Sequence, residues 1–274
     1  MVQMGLLVMA ASLLIWMLLE AFKIRVEKEE IVMEKLPAEF DGLRLFFISD
    51  IHRRAIPDRL IEACEDEGGA DLVVIGGDIR EYGVPLRRTR ANIRKLRRLG
   101  PVYAVYGNHD YDESARSLHA LLLQEQATPL VNDNIVLKRG KDRIVLCGVD
   151  DPITGRESLA EAFSFRTESK ETSSDNPFTI LVSHDPNLVD RLTGAPVDLM
   201  LSGHTHGGQI ALPIIGPISR SSIVNKYCRG WFSATINASN VPIRLLVSCG
   251  FGTSRIPVRL FAPSQTHLLI LRCP

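Results

Sequence analysis

Residues 203–209 read Gly203-His204-Thr205-His206-Gly207-Gly208-Gln209 and follow the apolar run Val197–Leu201. Two histidines spaced i, i+2 at the end of a strand-like run point to the same face, because side chains alternate along an extended backbone. That spacing suits metal ligation. The flanking glycines let the backbone turn and approach an ion or a phosphate closely, where a Cβ would obstruct it. By itself the stretch is compatible with many metal proteins, and its meaning comes from the clusters that surround it.

Upstream, the same pattern recurs. The apolar run Leu43–Ile48 stops at Ser49-Asp50-Ile51-His52, and Leu72–Ile75 runs into Gly76-Gly77-Asp78. Val102–Tyr106 ends at Gly107-Asn108-His109-Asp110, and Phe178–Val182 delivers Ser183-His184-Asp185-Pro186. Each is a buried strand that stops at polar residues, as strands do when they reach a functional edge. Taken singly, each has a plain alternative, such as an N-cap aspartate beside a surface histidine or an Asn-His-Asp turn capping the next helix. Together, five of the seven histidines (His52, His109, His184, His204, His206) accompany Asp50, Asp78 and Asn108 at recurring strand ends. Mixed Asp, Asn and His ligation without thiolate suits two divalent ions such as Mn, Fe or Zn, and it argues against a structural zinc site.

Between the strands lie helical spacings at Ile56, Leu60, Ile61 and Cys64, over the arginine-rich stretch Leu86–Leu99, and from Asp112 to Gln124. Strands alternating with helices give an α/β layered domain whose site sits at the strand carboxyl ends. A hairpin is expected from Ile135–Leu137 and Arg143–Val149, with turn contacts at Asp150 and Asp151. Residues 153–177 read as a short helix and a surface linker. Pro213–Arg229 reads as an excursion overhanging the site. Ile243–Ser248, Val258–Phe261 and His267–Leu271 are expected to complete a second sheet. The basic helix is read as a solvated face, with contact to anionic lipid as the minor alternative.

Lysine plus arginine balance aspartate plus glutamate at 32 each, so no global field indicates a nucleic acid partner. The five scattered cysteines form no Cys-x-x-Cys pair and read as thiols in a reducing compartment. No charged side chain occurs from Met1 to Leu19, and a helix of that length rises roughly 28 Å, near the hydrocarbon thickness of a bilayer. No Lys/Arg-rich start or small-residue cleavage site marks a removed signal peptide, so a retained single-pass anchor at the cell membrane is expected. Lys23, Arg25, Lys28 and Lys35 follow it, which places the main domain in the cytoplasm by the positive-inside rule. The expected organisation is an anchor at 1–22, a connector or edge strand at 23–41 and a catalytic domain at 42–274.

The ordered set Asp50-x-His52, Gly77-Asp78, Gly107-Asn108-His109-Asp110, His184 and Gly203-His204-x-His206 resembles the calcineurin-like metallophosphoesterase superfamily over about residues 42–271. The run Gly-His-Thr-His-Gly-Gly-Gln, with Lys226-Tyr227-x-x-Gly230 and Gly250-x-Gly252-Thr253, is similar to a branch of membrane-associated or exported bacterial phosphoesterases. Some relatives there hydrolyse UDP-2,3-diacylglucosamine.

The resemblance implies a four-layer α/β/β/α sandwich with a dinuclear site and a metal-dependent phosphohydrolase that cleaves a phosphoester or pyrophosphate by attack of a dimetal-bridging hydroxide. Carried over by motif, Asp50, His52 and His206 hold one ion, Asn108, His184 and His204 the other, and Asp78 bridges. His109, supported by Asp110, steadies charge or protonates the leaving oxygen. The substrate is a phosphorylated molecule, with a lipid-linked or nucleotide-lipid compound suggested by the anchor. Glu81 departs from the family's usual Asp and Gln265 from its usual Glu. Arg53 and Arg54 are candidates for a phosphate clamp, with exposed loop arginines as the alternative. The rival function is a catalytically silent scaffold on the same fold.

Overall fold

In a computed structural model, which describes residues 1–164, 176–219 and 221–274, period-two alternation of apolar side chains decides the layering. Along Leu43–Ile48, Leu45 and Phe47 enter one core while Phe46 and Ile48 enter another. Along Phe178–Val182, Ile180 and Val182 join the first of these cores and Leu181 a third. The shared core is thus sandwiched between two sheets, and the other two lie on their outer faces.

The first sheet has the order β1 (Val26–Val32), β14 (Thr266–Arg272), β2 (Leu43–Ile48), β3 (Leu72–Gly76), β4 (Val102–Val105), β5 (Ala127–Pro129). Strands β2 to β5 are parallel, and β14 runs antiparallel to β2 and parallel to β1. The second sheet has the order β12 (Gly230–Ile236), β13 (Pro242–Val247), β9 (Leu199–Ser202), β8 (Phe178–Val182), β7 (Asp142–Gly148), β6 (Asp133–Arg139). Helices α2 (Asp58–Asp66), α3 (Leu86–Leu96) and α4 (Ala115–Gln124) cover the first sheet through Leu60, Ile61, Cys64, Ile93, Leu96, Leu118 and Leu122. The far face of the second carries the short helix α5 (Leu159–Ala162) and the 3-10 turn Pro186–Arg191. Two mixed sheets with outer helices make the expected α/β sandwich.

Several expectations are met. The β6–β7 hairpin forms; Asp151 accepts from the amides of Ile153 and Thr154, and Asp150 accepts from Asp151 N. Two need correction. Residues 267–271 belong to the first sheet, where β14 inserts between β1 and β2, and 258–261 form no strand, only one bridge between Leu260 and Ile210. Both errors arise because strand partners are non-local and an apolar run does not name its neighbour. The surface linker expected after α5 falls at 165–175, outside the described residues.

Several cations in and just after α3 meet carboxylates of or next to the adjacent helices: Arg90 and Arg94 pair with Glu125, Lys95 with Asp58, and Arg98 with Asp58 and Glu65. Such exposed pairs are screened by solvent and add little stability each, and they account for the basic helix as a solvated face. At the chain start, α1 (Val2–Phe22) leaves the domain, and Met1–Trp16 are all exposed. Among the described residues it is the one helix long and apolar enough to cross a membrane.

Candidate metal centre

The polar residues expected at strand ends converge on one edge of the sandwich. Asp50 and His52 follow β2, Asp78 follows β3, Asn108 and His109 follow β4, His184 follows β8, and His204 and His206 follow β9. Both sheets contribute. The ligand candidates do not sit on extended backbone. Asp50, His52, Asp78, His204 and His206 all have φ between 50° and 69°, a left-handed conformation unfavourable for residues with a Cβ. Strain of this kind persists where surrounding structure fixes it and clusters at functional sites. Here backbone bonds pin it, with Asp50 N donating to Gly77 O and His52 N to Asp78 O.

Glycine makes the close approach possible. A Cβ on Gly203 would meet Asp50 Oδ2, and one on Gly107 would meet Asp78 Oδ1. Gly77, in the left-handed region at φ 89°, lies against the ring of His184.

His52 Nε2 and His206 Nε2 lie 3.2 Å apart, and His206 Nε2 is 3.4 Å from Asp50 Oδ1. Asp50, His52 and His206 thus form one compact donor group, and Asp50, Asp78 and His184 a second. The Oδ2 of Asp78 stands between them, 3.5 Å from His52 Nε2 and 3.2 Å from His184 Nε2. His204 Nδ1 adds to the second side, 3.3 Å from His184 Nε2. Asn108 Oδ1 is buried without a hydrogen-bond partner, beside a Gly107 that packs on Asp78 and His184. An orphaned buried oxygen and ring nitrogens facing one another at hydrogen-bond distance are arrangements a cation would satisfy. The donor set fits a pair of divalent ions of the Mn, Fe or Zn type.

The charge pattern is steep. Burial opposes a charged His184, yet the Asp78 carboxylate outweighs it and raises the imidazole to about 10. Burial would raise Asp78, but the His184 and His52 rings hold it well below the usual carboxylate range. Burial, with His184 alongside, pushes His204 down to about 4, and burial with His52 and Arg259 nearby keeps His206 low. His184 Nδ1 donates to Gly76 O at 2.8 Å, which leaves Nε2 to face the site.

Three features are new relative to the sequence reading. Asp110, expected to support His109, instead turns inward: its carboxylate accepts from Gly107 N and Arg80 N at 2.9 and 3.1 Å, and burial beside Asp78 raises it to about 7. The carboxylate next to His109 is Asp112, 2.8 Å from Nδ1, because the 3-10 turn Asn108–Tyr111 brings i and i+3 together. Glu81 lies 3.0 Å from His52 Nδ1 and pairs with Arg53, so it backs a histidine of the candidate site from behind.

The third is Arg259, fully buried, whose guanidinium donates to the carbonyls of His206, Cys249, Gly250, Gly252 and Ala262. It ties the His206 turn to the loop after β13, and a lone arginine in a polar loop carries no sequence signal for that role. Arg54 is likewise structural: it donates to Phe251 O, to Ser264 Oγ and to the terminal carbonyls of α1 at Phe22 and Lys23. Arg53 alone of the pair stays exposed. Gln265 Oε1 accepts from Cys249 N. The remaining histidines stand apart, His119 on Tyr106 and His267 on Ser248.

The family model for calcineurin-like phosphoesterases matches residues 43–208, from β2 through the His204–Gly208 turn. The chain belongs to that family. An uncharacterized protein of Bacillus subtilis, YpbG, is 34% identical over 85% of this chain and 82% of its own length. A transmembrane protein with a metallophosphoesterase domain from Bos taurus is 30% identical over 89% of this chain, which spans 56% of that protein. Among solved structures, a 5'-nucleotidase precursor from Thermus thermophilus superposes with a TM-score of 0.53 at 13% identity, covering 83% of this chain and 54% of that one. That last likeness speaks for the fold alone. The buried Asp/His clusters of this phosphoesterase match the dinuclear site typical of the family.

Proposed function

We propose that this phosphoesterase is a membrane-anchored phosphohydrolase with two divalent ions, in which Asp50, His52 and His206 hold one, Asn108, His184 and His204 the other, and Asp78 bridges. The observation that carries the reading is the position of Asp78 Oδ2, within 3.5 Å of a histidine from each donor group. When bound, the two ions supply an acidified water as nucleophile and neutralise the phosphoryl oxygens. The chain's own residues then orient and donate. His109 is half-exposed, its ring centroid is 5.3 Å from that of His52, and Asp112 on Nδ1 leaves Nε2 to give a proton to a phosphoryl or leaving oxygen. Asp110 braces the turn that carries His109 rather than touching the reacting atoms.

The anchor at 1–22, the connector at 23–41 and the catalytic domain at 42–274 belong to the same reading, although β1 of the connector is bonded into the first sheet through β14. The exposed apolar α1, and the similarity of the chain to a protein described as transmembrane, support a retained single-pass helix. The basic residues after it favour a cytoplasmic domain. A phosphate carried by a lipid or nucleotide-lipid is the substrate class that such an anchor suits.

The test is hydrolysis of p-nitrophenyl phosphate and bis-p-nitrophenyl phosphate by the full chain with added manganese, alongside elemental analysis. Turnover with about two bound ions per chain is expected. No turnover on either ester together with no bound metal would sink the proposal.

A further inference from the structure

Immediately beyond the His206 turn the chain makes a hairpin, β10 (Ala211–Leu212) and β11 (Gly216–Pro217), that stands out from the domain. Ile214 is 108% exposed, Ile215 72% and Ile218 56%, and no charged residue occurs from Gln209 to Ser219. Aliphatic side chains concentrated on an uncharged protrusion mark a surface that meets something apolar.

The neighbours of the hairpin say what. The domain touches α1 through the 259–261 segment, where Arg259 N donates to Met17 O at 3.0 Å and Phe261 packs edge-on against Trp16 with ring centroids 5.0 Å apart. The 259–261 segment therefore lies against α1 at Trp16 and Met17, the level at which the bare stretch Met1–Trp16 begins. The start of the hairpin runs parallel to it, with Ile210 bridged to Leu260, Leu260 N bonded to Gln209 O and Ala211 N to Leu260 O. The hairpin is thus bonded to the segment that meets α1 at Trp16 and Met17, where the bare part of the helix begins. Exposed Phe261 and Ile256 extend the apolar surface between them, and exposed Arg229 and Arg255 stand nearby in sequence and bonding, where anionic headgroups would receive them.

We infer that the Leu212–Ile218 hairpin is a second bilayer contact, dipping Ile214 and Ile215 into the headgroup and acyl boundary beside α1. The inference rests on the anchor reading above. It brings the mouth of the metal site to headgroup level, because Pro217 packs over Gly208 in the turn that carries His206. Interfacial segments of this kind bury apolar side chains about 5–10 Å below the surface.

The full chain carrying Ile214→Trp, reconstituted into phosphatidylcholine–phosphatidylglycerol vesicles, tests it. The emission added over that of the unsubstituted chain should be blue-shifted and should lose about half its intensity or more when the acyl chains are brominated, as for an indole within about 10 Å of the surface. Hydrolysis of p-nitrophenyl phosphate at the unsubstituted rate confirms that the variant is folded. An added emission that is water-like and indifferent to bromine, in a chain retained through alkaline carbonate washing, overturns the hairpin contact and leaves the anchor standing. Release of the chain by carbonate overturns both.

Discussion

His109 is the histidine of the cluster read as free of metal, and its surroundings separate proton donation from ion binding. Its backbone N–H donates to Asp78 Oδ1 at 2.9 Å while its ring looks outward against Asp112. Replacing it by glutamine keeps the backbone contact and removes the titratable group. His109→Gln should lower kcat by about 10²–10³-fold with bound metal unchanged, measured by steady-state hydrolysis and elemental analysis. Loss of both together would make His109 a ligand or a folding residue instead. The seven ligand candidates were legible from sequence because each stands where a buried apolar run breaks at a polar side chain. The choice of Asp112 over Asp110 was not, since it turns on whether Asn108–Tyr111 winds as a 3-10 turn. Arg259 was equally hidden, as five of its partners are main-chain carbonyls, which leave no mark in the residues that bear them.

Strand ends in this fold do more than carry side chains, because the turns after β3, β4, β9 and β13 pass directly against a ligand candidate from another strand. Gly203 follows β9, yet a Cβ there would meet Asp50, which follows β2 in the opposite sheet. Gly203→Ala should therefore displace the Asp50 carboxylate, with the cores at the strands themselves untouched. The expected outcome is a folded protein by circular dichroism with metal affinity and turnover reduced about 10-fold or more, the scale of losing one well-placed supporting contact at a metal site. Wild-type metal content in this variant would show that the two sheets can separate slightly at this edge. The elements themselves follow from local pattern: apolar runs for the strands, a helical stripe at Leu60, Ile61 and Cys64, and Ser114 capping α4 by accepting from Ser117 N. What pattern could not supply was the left-handed backbone at Asp50, His52, Asp78, His204 and His206, because neither aspartate nor histidine announces positive φ as glycine does.

Across the whole molecule the metal centre is one place where the two sheets meet in polar contact, with Asp50, Asp78 and Asn108 from one and His184, His204 and His206 from the other. Ions that bind only the native state stabilise it by about 2.7 kcal/mol at one hundred times the dissociation constant. Chelation should accordingly lower Tm by about 5–10 °C, reversed by adding metal back, as read by scanning calorimetry. An unchanged Tm would mean that the sheets hold together without the ions. The layered class was legible from alternating strands and helices, but the membership of β14 was not, since it depends on partners more than two hundred residues upstream in β1 and on β2. That insertion has a consequence for synthesis. As the chain leaves the ribosome, β1 and β2 appear first, and each keeps an open edge until residues 266–272 arrive to fill the gap between them. An open edge is a template for another nascent chain, and charges along it discourage such pairing. The run Glu27-Lys28-Glu29-Glu30 lies on β1, which is still an edge strand in the finished sheet, so its charges discourage such pairing during synthesis and after it.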